Sequence, residues 1–202
     1  LIFPYIKDQN NSLVLISEPE LKSNYPKTYQ YLVSQKDLLE KRKQFSKWYG
    51  FSAPRNLNLH ADANILIPLL ANRGLFSLNL MKSDSTLMAS GGFSISIKSS
   101  QINEKYLLGL LNSKLLFYLL YNQSNKFRGG YITCTKQYFE NLPICKQNNH
   151  RITELVDEII IYKEMSPESD TSALEVEIDQ MVYELYGLTE EEIAIVENSI
   201  KS

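Results

Sequence analysis

The side chains best suited to covalent or metal chemistry are scarce in this 202-residue chain. Its only histidines are His60 and His150, and its only cysteines are Cys134 and Cys145, neither in a CxxC pair. A zinc site gathers roughly four such ligands, so the two thiols read as reduced, partly buried side chains of a cytoplasmic protein. For the same want of ligands, His60-Ala61-Asp62 reads as a polar turn rather than a metal pair. No GxSxG, Walker A or GxGxxG is present, and the pairs Gly91-Gly92 and Gly129-Gly130 are too short to cradle a phosphate chain. Glu175-Val176-Glu177 could pass for a carboxylate pair, but it lies beside an apolar helical stripe with no Lys after it. No catalytic residue, bound metal or bound cofactor is predicted for this chain itself.

Its chemistry is electrostatic instead. Residues 1–148 hold 18 Lys and Arg against 9 Asp and Glu, a net of +9, whereas residues 149–202 hold 3 against 14, a net of −11, which together give the whole-chain −2. A basic body with an acidic tail predicts a polyanion-binding face on the first part only. The candidate basic residues fall in four places. Lys41, Arg42, Lys43 and Lys47, beside Trp48 and Tyr49, end a predicted helix and begin the following loop. Arg55-Asn56 and Asn72-Arg73 lie at predicted turns, where side chains project. Lys126, Phe127, Arg128, Gly129, Gly130 and Tyr131 form a further loop, with Lys136 just beyond it.

The elements that position these clusters follow from hydrophobic period. Residues 2–6 and 13–16 are short β-rich runs around the turn-prone Asp8-Gln9-Asn10-Asn11, which predicts a hairpin. Pro26 opens a helix predicted to run to about Arg42, with Tyr29, Leu32, Val33 and Leu39 as a broken apolar stripe. From residue 57 the period becomes two: Leu57-Asn58-Leu59, residues 76–80 and residues 93–97 alternate. Ile65-Leu66-Ile67 is a continuous run suited to a strand buried on both faces. Turn signals at Asp62, Asn64, Asn72-Arg73-Gly74, Ser83-Asp84-Ser85 and Ser90-Gly91-Gly92 punctuate these runs.

Asn103 caps a helix predicted from about Glu104 to Tyr121, apolar almost all round and therefore the buried spine. A short helical turn is predicted from Lys136 to Glu140. In the tail, Ile152, Leu155, Val156, Ile159 and Ile160, then Leu174, Ile178, Met181, Val182 and Leu185, fall at helical spacing. Gly187 closes the second stripe as a C′ residue, and Thr189 with Glu192 forms a capping box for a third helix. No run is long and apolar enough to cross a bilayer, so no membrane partner is expected. The predicted fold class is α+β, a mostly antiparallel twisted sheet with a buried helix, followed by a C-terminal helical subdomain. The predicted division is 1–148 and 149–202.

Two stretches carry a resemblance. The first is YLLGLLNSKLLFY from Tyr106 to Tyr118, then Arg128-Gly129-Gly130-Tyr131-Ile132, then YFENLPI from Tyr138 to Ile144; the second is EIDQMVYELYGLTEEEI from Glu177 to Ile193. Together they resemble the TaqI-like C-terminal specificity domain, the target-recognition domain of type IIG restriction enzymes and adenine-specific DNA methyltransferases. The resemblance implies recognition of double-stranded DNA on behalf of a parent chain, in which a methyltransferase domain precedes this one and a nuclease domain sometimes precedes that. S-adenosylmethionine and any magnesium would bind in those other domains. The chain contains no NPPY or DPPY tetrapeptide for stacking a flipped base, and no Pro-Asp followed by Asp/Glu-x-Lys for gathering magnesium. It begins at Leu1, with no signal peptide, as a fragment of something longer would.

Charge and geometry then assign contacts. Arg42, Lys43, Lys47, Lys126, Arg128 and Lys136 are expected to face phosphate, Arg55 and Arg73 to reach base edges, and Tyr131 to complete the set. Six phosphate contacts predict that log K falls with log salt at a slope near −5, from about −0.9 per contact. The acidic tail is expected off the DNA, packed through Leu174, Ile178, Met181 and Leu185 on the recognition domain or on the methyltransferase domain. Two alternatives remain at this point: half of a type I restriction specificity subunit, with the tail as a coiled-coil spacer, and a protein-interaction module with no DNA role. Tail stripes of about 11 to 13 residues, broken by Ser166-Pro167 and Gly187, favour a compact bundle over a rod.

Overall fold

The computed structural model describes residues 2–10, 12–52, 54, 57, 63–80 and 92–199. The chain divides into two compact units, one within residues 1–62 and the other comprising 63–80 and the residues from 92 onward.

In the first unit, β1 (Tyr5–Lys7) pairs antiparallel with β2 (Leu13–Leu15), Ile6 opposite Val14. Asp8 holds the turn between them, its Oδ1 accepting from the Asn10 and Ser12 amides at 2.9 and 2.8 Å. Two helices follow, α1 (Glu18–Asn24) and α2 (Pro26–Ser34), then a single turn, α3 (Lys36–Leu39). The sequence reading missed α1, although Ser17-Glu18-Pro19-Glu20 announces it: Ser17 Oγ accepts from the Glu20 amide, and proline sits in the first turn. The single helix expected from Pro26 to about Arg42 is broken at Gln35, whose φ of −106° and ψ of 6° leave the helical region. Ile16, Leu21, Leu32, Trp48 and Tyr49 form the core of this unit, so the two aromatics counted with the basic cluster are interior side chains. Tyr49 Oη donates to Ile16 O at 2.9 Å.

The second unit opens with β3 (Ile65–Ile67), the centre of a three-stranded antiparallel sheet between β5 (Ser77–Leu78) and β6 (Phe93–Ile95). Ile65 and Ile67 are fully buried and Leu66 half-buried, so β3 alternates rather than burying both faces. A second antiparallel pair joins β4 (Leu70–Ala71) to β7 (Ile132–Thr133). The predicted strand at residues 57–59 and the turns at 60–62, 83–85 and 90–91 fall outside the described residues, Leu57 apart. The expected fold class holds: helices and antiparallel strands with a buried helical spine and a C-terminal helical region.

That spine is two helices. Ser113, at ψ 152°, interrupts the run into α4 (Glu104–Asn112) and α5 (Lys114–Gln123). Its hydroxyl donates to Leu110 O at 2.7 Å and accepts from the Leu116 amide at 3.4 Å, closing one helix and capping the next. The local competition that serine offers to helical hydrogen bonding explains the break within a leucine-rich run.

The tail forms α7 (His150–Met165), α8 (Ser172–Tyr186) and α9 (Glu190–Ser199), after a single turn α6 (Lys136–Phe139). Gly187 ends α8 at φ +68°, and Thr189 with Glu192 caps α9 reciprocally. The tail is not set apart, because α4 packs on α7 and α8, and α5 on α8 and α9. Ile152, Leu155, Ile178, Val182, Tyr183 and Val196 share one core with Leu110, Leu111, Leu116 and Leu120. Truncation after Pro167 is therefore expected to abolish the cooperative thermal transition of this unit, monitored by circular dichroism. A sharp transition of unchanged midpoint in the truncated chain would contradict the shared core.

The two signature stretches meet inside this unit. Asp179 Oδ1 accepts from the Lys114 amide at 2.8 Å, and its Oδ2 lies 3.6 Å from Lys114 Nζ. Lys114 Nζ also donates to Glu197 at 2.7 Å, which accepts from Tyr183 Oη at 2.9 Å on its other oxygen. Tyr186 Oη donates to Pro143 O and accepts from the Cys145 amide at 3.0 Å. Those motif residues join the spine to the tail helices.

Burial pushes the Asp179 carboxyl up to about 6, against the downward pull of the Lys114 amide and ammonium. Burial also pushes Glu197 up, but hydrogen bonds from Lys114 and Tyr183 carry it below its ordinary value. Because folded Asp179 holds its proton more tightly than the unfolded chain does, its contribution favours folding at acid pH and is lost as pH rises from about 4 through about 6. A shift of that size corresponds to about 3 kcal/mol. Asp179→Asn keeps an acceptor for the Lys114 amide and should remove this decline, measured as urea midpoints from pH 4 to 7. An undiminished decline in the variant would assign it elsewhere.

Candidate nucleic-acid interface

The expected basic residues lie in both units. In the first, Arg42 follows α3 and is turned onto the loop that carries its neighbours. Its Nε donates to Leu39 O at 2.8 Å, Nη1 to Gly50 O at 2.8 Å and Ser52 Oγ at 3.4 Å, and Nη2 to Trp48 O. The guanidinium carbon also sits 5.4 Å from the centre of the Phe45 ring. Three chain carbonyls thus gather around one guanidinium, which holds residues 39–52 in a closed loop. Lys43 and Lys47 stand exposed on that loop, and neither has a partner among the described residues. Arg55 lies outside the described residues.

In the second unit, residues 125–133 form a hairpin. Thr133 donates from its amide and its hydroxyl to Asn125 O at 3.0 and 3.1 Å, Lys126 bridges Ile132, and the Phe127 amide donates to Tyr131 O at 2.6 Å. Only Arg128, Gly129 and Gly130 remain for the tip. Both glycines take positive φ, 80° and 76°, which lets the chain reverse in so few residues. The base of the hairpin is fixed by fully buried Ile132, by the pairing of β7 with β4, and by the Cys134 amide donating to Leu69 O at 2.8 Å.

Arg128 is exposed with no partner among the described residues. Lys126 Nζ rests 4.2 Å from the centre of the Tyr121 ring. Phe127 and Tyr131 are 53% and 40% exposed, large apolar surfaces on a basic loop. The sequence reading placed Phe127 in this loop without counting it as a contact; an aromatic just ahead of Arg-Gly-Gly was the available signal. Lys136 begins α6, is 80% exposed and lies 3.8 Å from Glu140, an exposed pair of little energetic consequence. Arg73 is exposed at the turn between β4 and β5. The sequence clusters at residues 42–47 and 126–136 are thus each brought together within their own unit.

Reactive groups do not converge among the described residues. Burial pushes the Cys134 thiol up to about 11, so it stays protonated at neutral pH and is no nucleophile. No group of three or more His, Cys, Asp or Glu side chains there could hold a metal ion. No helix among them is long and apolar enough to cross a membrane. A hollow of about 320 Å³ beside β6 is lined by Phe93, Ile95, Leu107, Leu111, Phe139 and Ile144, with Ser94, Lys136 and Glu140 as its polar members.

The family model described as the TaqI-like C-terminal specificity domain matches residues 18–144. The chain belongs to that family, and so to the specificity domains of restriction–modification systems. A comparison with curated proteins finds no match to the chain.

Proposed function

We propose that this chain is the DNA-reading domain of a type IIG restriction enzyme or adenine-specific DNA methyltransferase. It positions a duplex for methylation or cleavage performed by other domains of the parent polypeptide in the cytoplasm. S-adenosylmethionine, and magnesium where the parent cuts, bind in those domains. The observation that carries this reading is a family specificity scaffold with solvent-exposed cations on two loops, Lys43 and Lys47 on one and Lys126 and Arg128 on the other.

In this reading Lys43, Lys47, Lys126 and Lys136 contact phosphate. Arg73 and Tyr131 lie close enough to the ends of strands to reach into a groove, and Arg42 shapes the loop that presents two of the lysines. The tail, with its net charge of −11 over residues 149–202, stays off the DNA. Its helices pack on the spine rather than extending as a rod, which favours the single-chain parent over a type I subunit with a coiled-coil spacer.

The test is a titration of fluorescent random-sequence duplex at increasing salt. Four phosphate contacts give a slope of log K on log salt of about −3.6. Absence of binding at low salt, or a slope near −1, would overturn the DNA role and leave the protein-interaction reading in its place.

A further inference from the structure

The geometry points to Arg128 as the residue that reads a guanine, carried into the major groove by the 125–133 hairpin. This inference rests on the DNA-reading function proposed above and names the subsite within it.

The argument begins with shape. The major groove, about 12 Å wide, admits a two-stranded ribbon with its side chains against the base edges, and it alone presents a distinct pattern for every base pair, whereas the minor groove is only about 6 Å wide. Here the ribbon narrows to three residues, and the Cβ-less pair beside Arg128 lets the tip approach closely: a Cβ added at Gly130 would meet nothing within 4 Å. Phosphate contact needs only a flexible cation near the backbone, as Lys126 provides at the base of the ribbon. Base readout needs a planar, bidentate donor held at the leading edge by a rigid support. Arg128 meets that description. It sits beyond the last cross-strand hydrogen bond, from Phe127 to Tyr131, on a ribbon anchored by buried Ile132.

The flanking aromatics point the same way. Residues directly opposite in an antiparallel pair share a face, so Phe127 and Tyr131 project together, away from the face that buries Ile132. Two exposed aromatic rings beside a guanidinium are poorly matched to the hydrated phosphate backbone. They match the groove floor, where thymine methyl groups and base edges offer apolar contact.

The experiment selects preferred sequences from a pool of random duplexes with the intact chain, then measures Arg128→Ala, Arg128→Lys and Lys126→Ala on the selected and the random duplex. Arg128→Ala should lose roughly 10- to 100-fold on the selected duplex and little on random duplex, and should lose preference at one guanine position. Arg128→Lys keeps the charge without the fork and should lose the same preference. Replacing that guanine by 7-deazaguanine should weaken the wild-type chain and leave Arg128→Ala unaffected. Lys126→Ala should weaken both duplexes alike and make the salt slope shallower by about 0.9.

Arg128 is a phosphate ligand, and the inference is overturned, if its alanine variant behaves as Lys126→Ala should. It is equally overturned if the selected sequence is unchanged by both Arg128 variants. A wild-type chain that binds no duplex fails earlier, at the proposed function, and takes this inference down with it.

Discussion

With Lys43, Lys47, Lys126 and Lys136 all replaced by alanine, affinity for random duplex at about 0.1 M salt is expected to fall about 10³-fold, and the salt slope to flatten from about −3.6 to −1 or shallower. The magnitude follows from counterion release: each neutralised phosphate contributes about 0.9 to the slope, and about that many decades of affinity at such a salt concentration. The lysines belong to separate units, two to each, so the double variants Lys43→Ala with Lys47→Ala, and Lys126→Ala with Lys136→Ala, should each take about half of the effect. None of the four is buried, and only Lys126, over the Tyr121 ring at 4.2 Å, makes a close side-chain contact, an exposed one of small energetic weight. Three have no ion pair among the described residues, and the Lys136–Glu140 contact is long and exposed. Unchanged melting temperatures are therefore the internal control. Should one double variant account for the whole loss, the interface belongs to that unit alone.

Replacing Gly74 by alanine is expected to cost about 3 kcal/mol of folding stability, the upper end of the range for overpacking. The turn at residues 72–76 lies directly on the C-terminal end of α4, and a Cβ at Gly74 would fall 2.6 Å from Asn112 Cα and 2.7 Å from its carbonyl carbon. Those are backbone atoms of a buried helix, with no rotamer through which to yield. Relief requires lifting the turn, which breaks both hydrogen bonds that Asn112 makes to Phe76, from the Phe76 amide to Oδ1 and from Nδ2 to the Phe76 carbonyl, each 2.9 Å. It also unseats Phe76 from the Phe139 ring, whose centre lies 5.3 Å away. Urea midpoints measure the loss, and Gly130→Ala at an open hairpin tip serves as comparison, with only the strain of its positive φ, about 1 kcal/mol. A loss under about 1 kcal/mol for Gly74→Ala would mean that the turn does not depend on its seat against α4.

Much of the architecture was readable because local rules and burial agreed. The β1–β2 hairpin, the Lys136 turn and all three tail helices follow from period and caps, and Gly187 with the Thr189–Glu192 pair placed the α8–α9 junction. The family was readable too, through YLLGLLNSK, YFENLPI and the stretch from Glu177 to Ile193. The misreadings share a cause. A leucine-rich run conceals a break when the interrupting residue is a serine, whose hydroxyl satisfies the backbone as well as another helical turn does. That is how one spine helix was expected where α4 and α5 stand. Gln35 breaks the Pro26 helix with no such local signal.

The candidate interface divides along the same line. Charge and composition alone determined that the first three-quarters of the chain carries a net positive charge and the tail a net negative one, because a net charge is a sum over residues and needs no coordinates. Which cations are available was decided only by tertiary structure. Arg42 and Lys43 are neighbours of like charge in sequence, yet folding commits the Arg42 guanidinium to the carbonyls of Leu39, Trp48 and Gly50 and leaves Lys43 in water. Likewise Trp48 became core while Phe127 stayed on the surface, since burial depends on which distant residues arrive to cover a ring, and no local pattern encodes that.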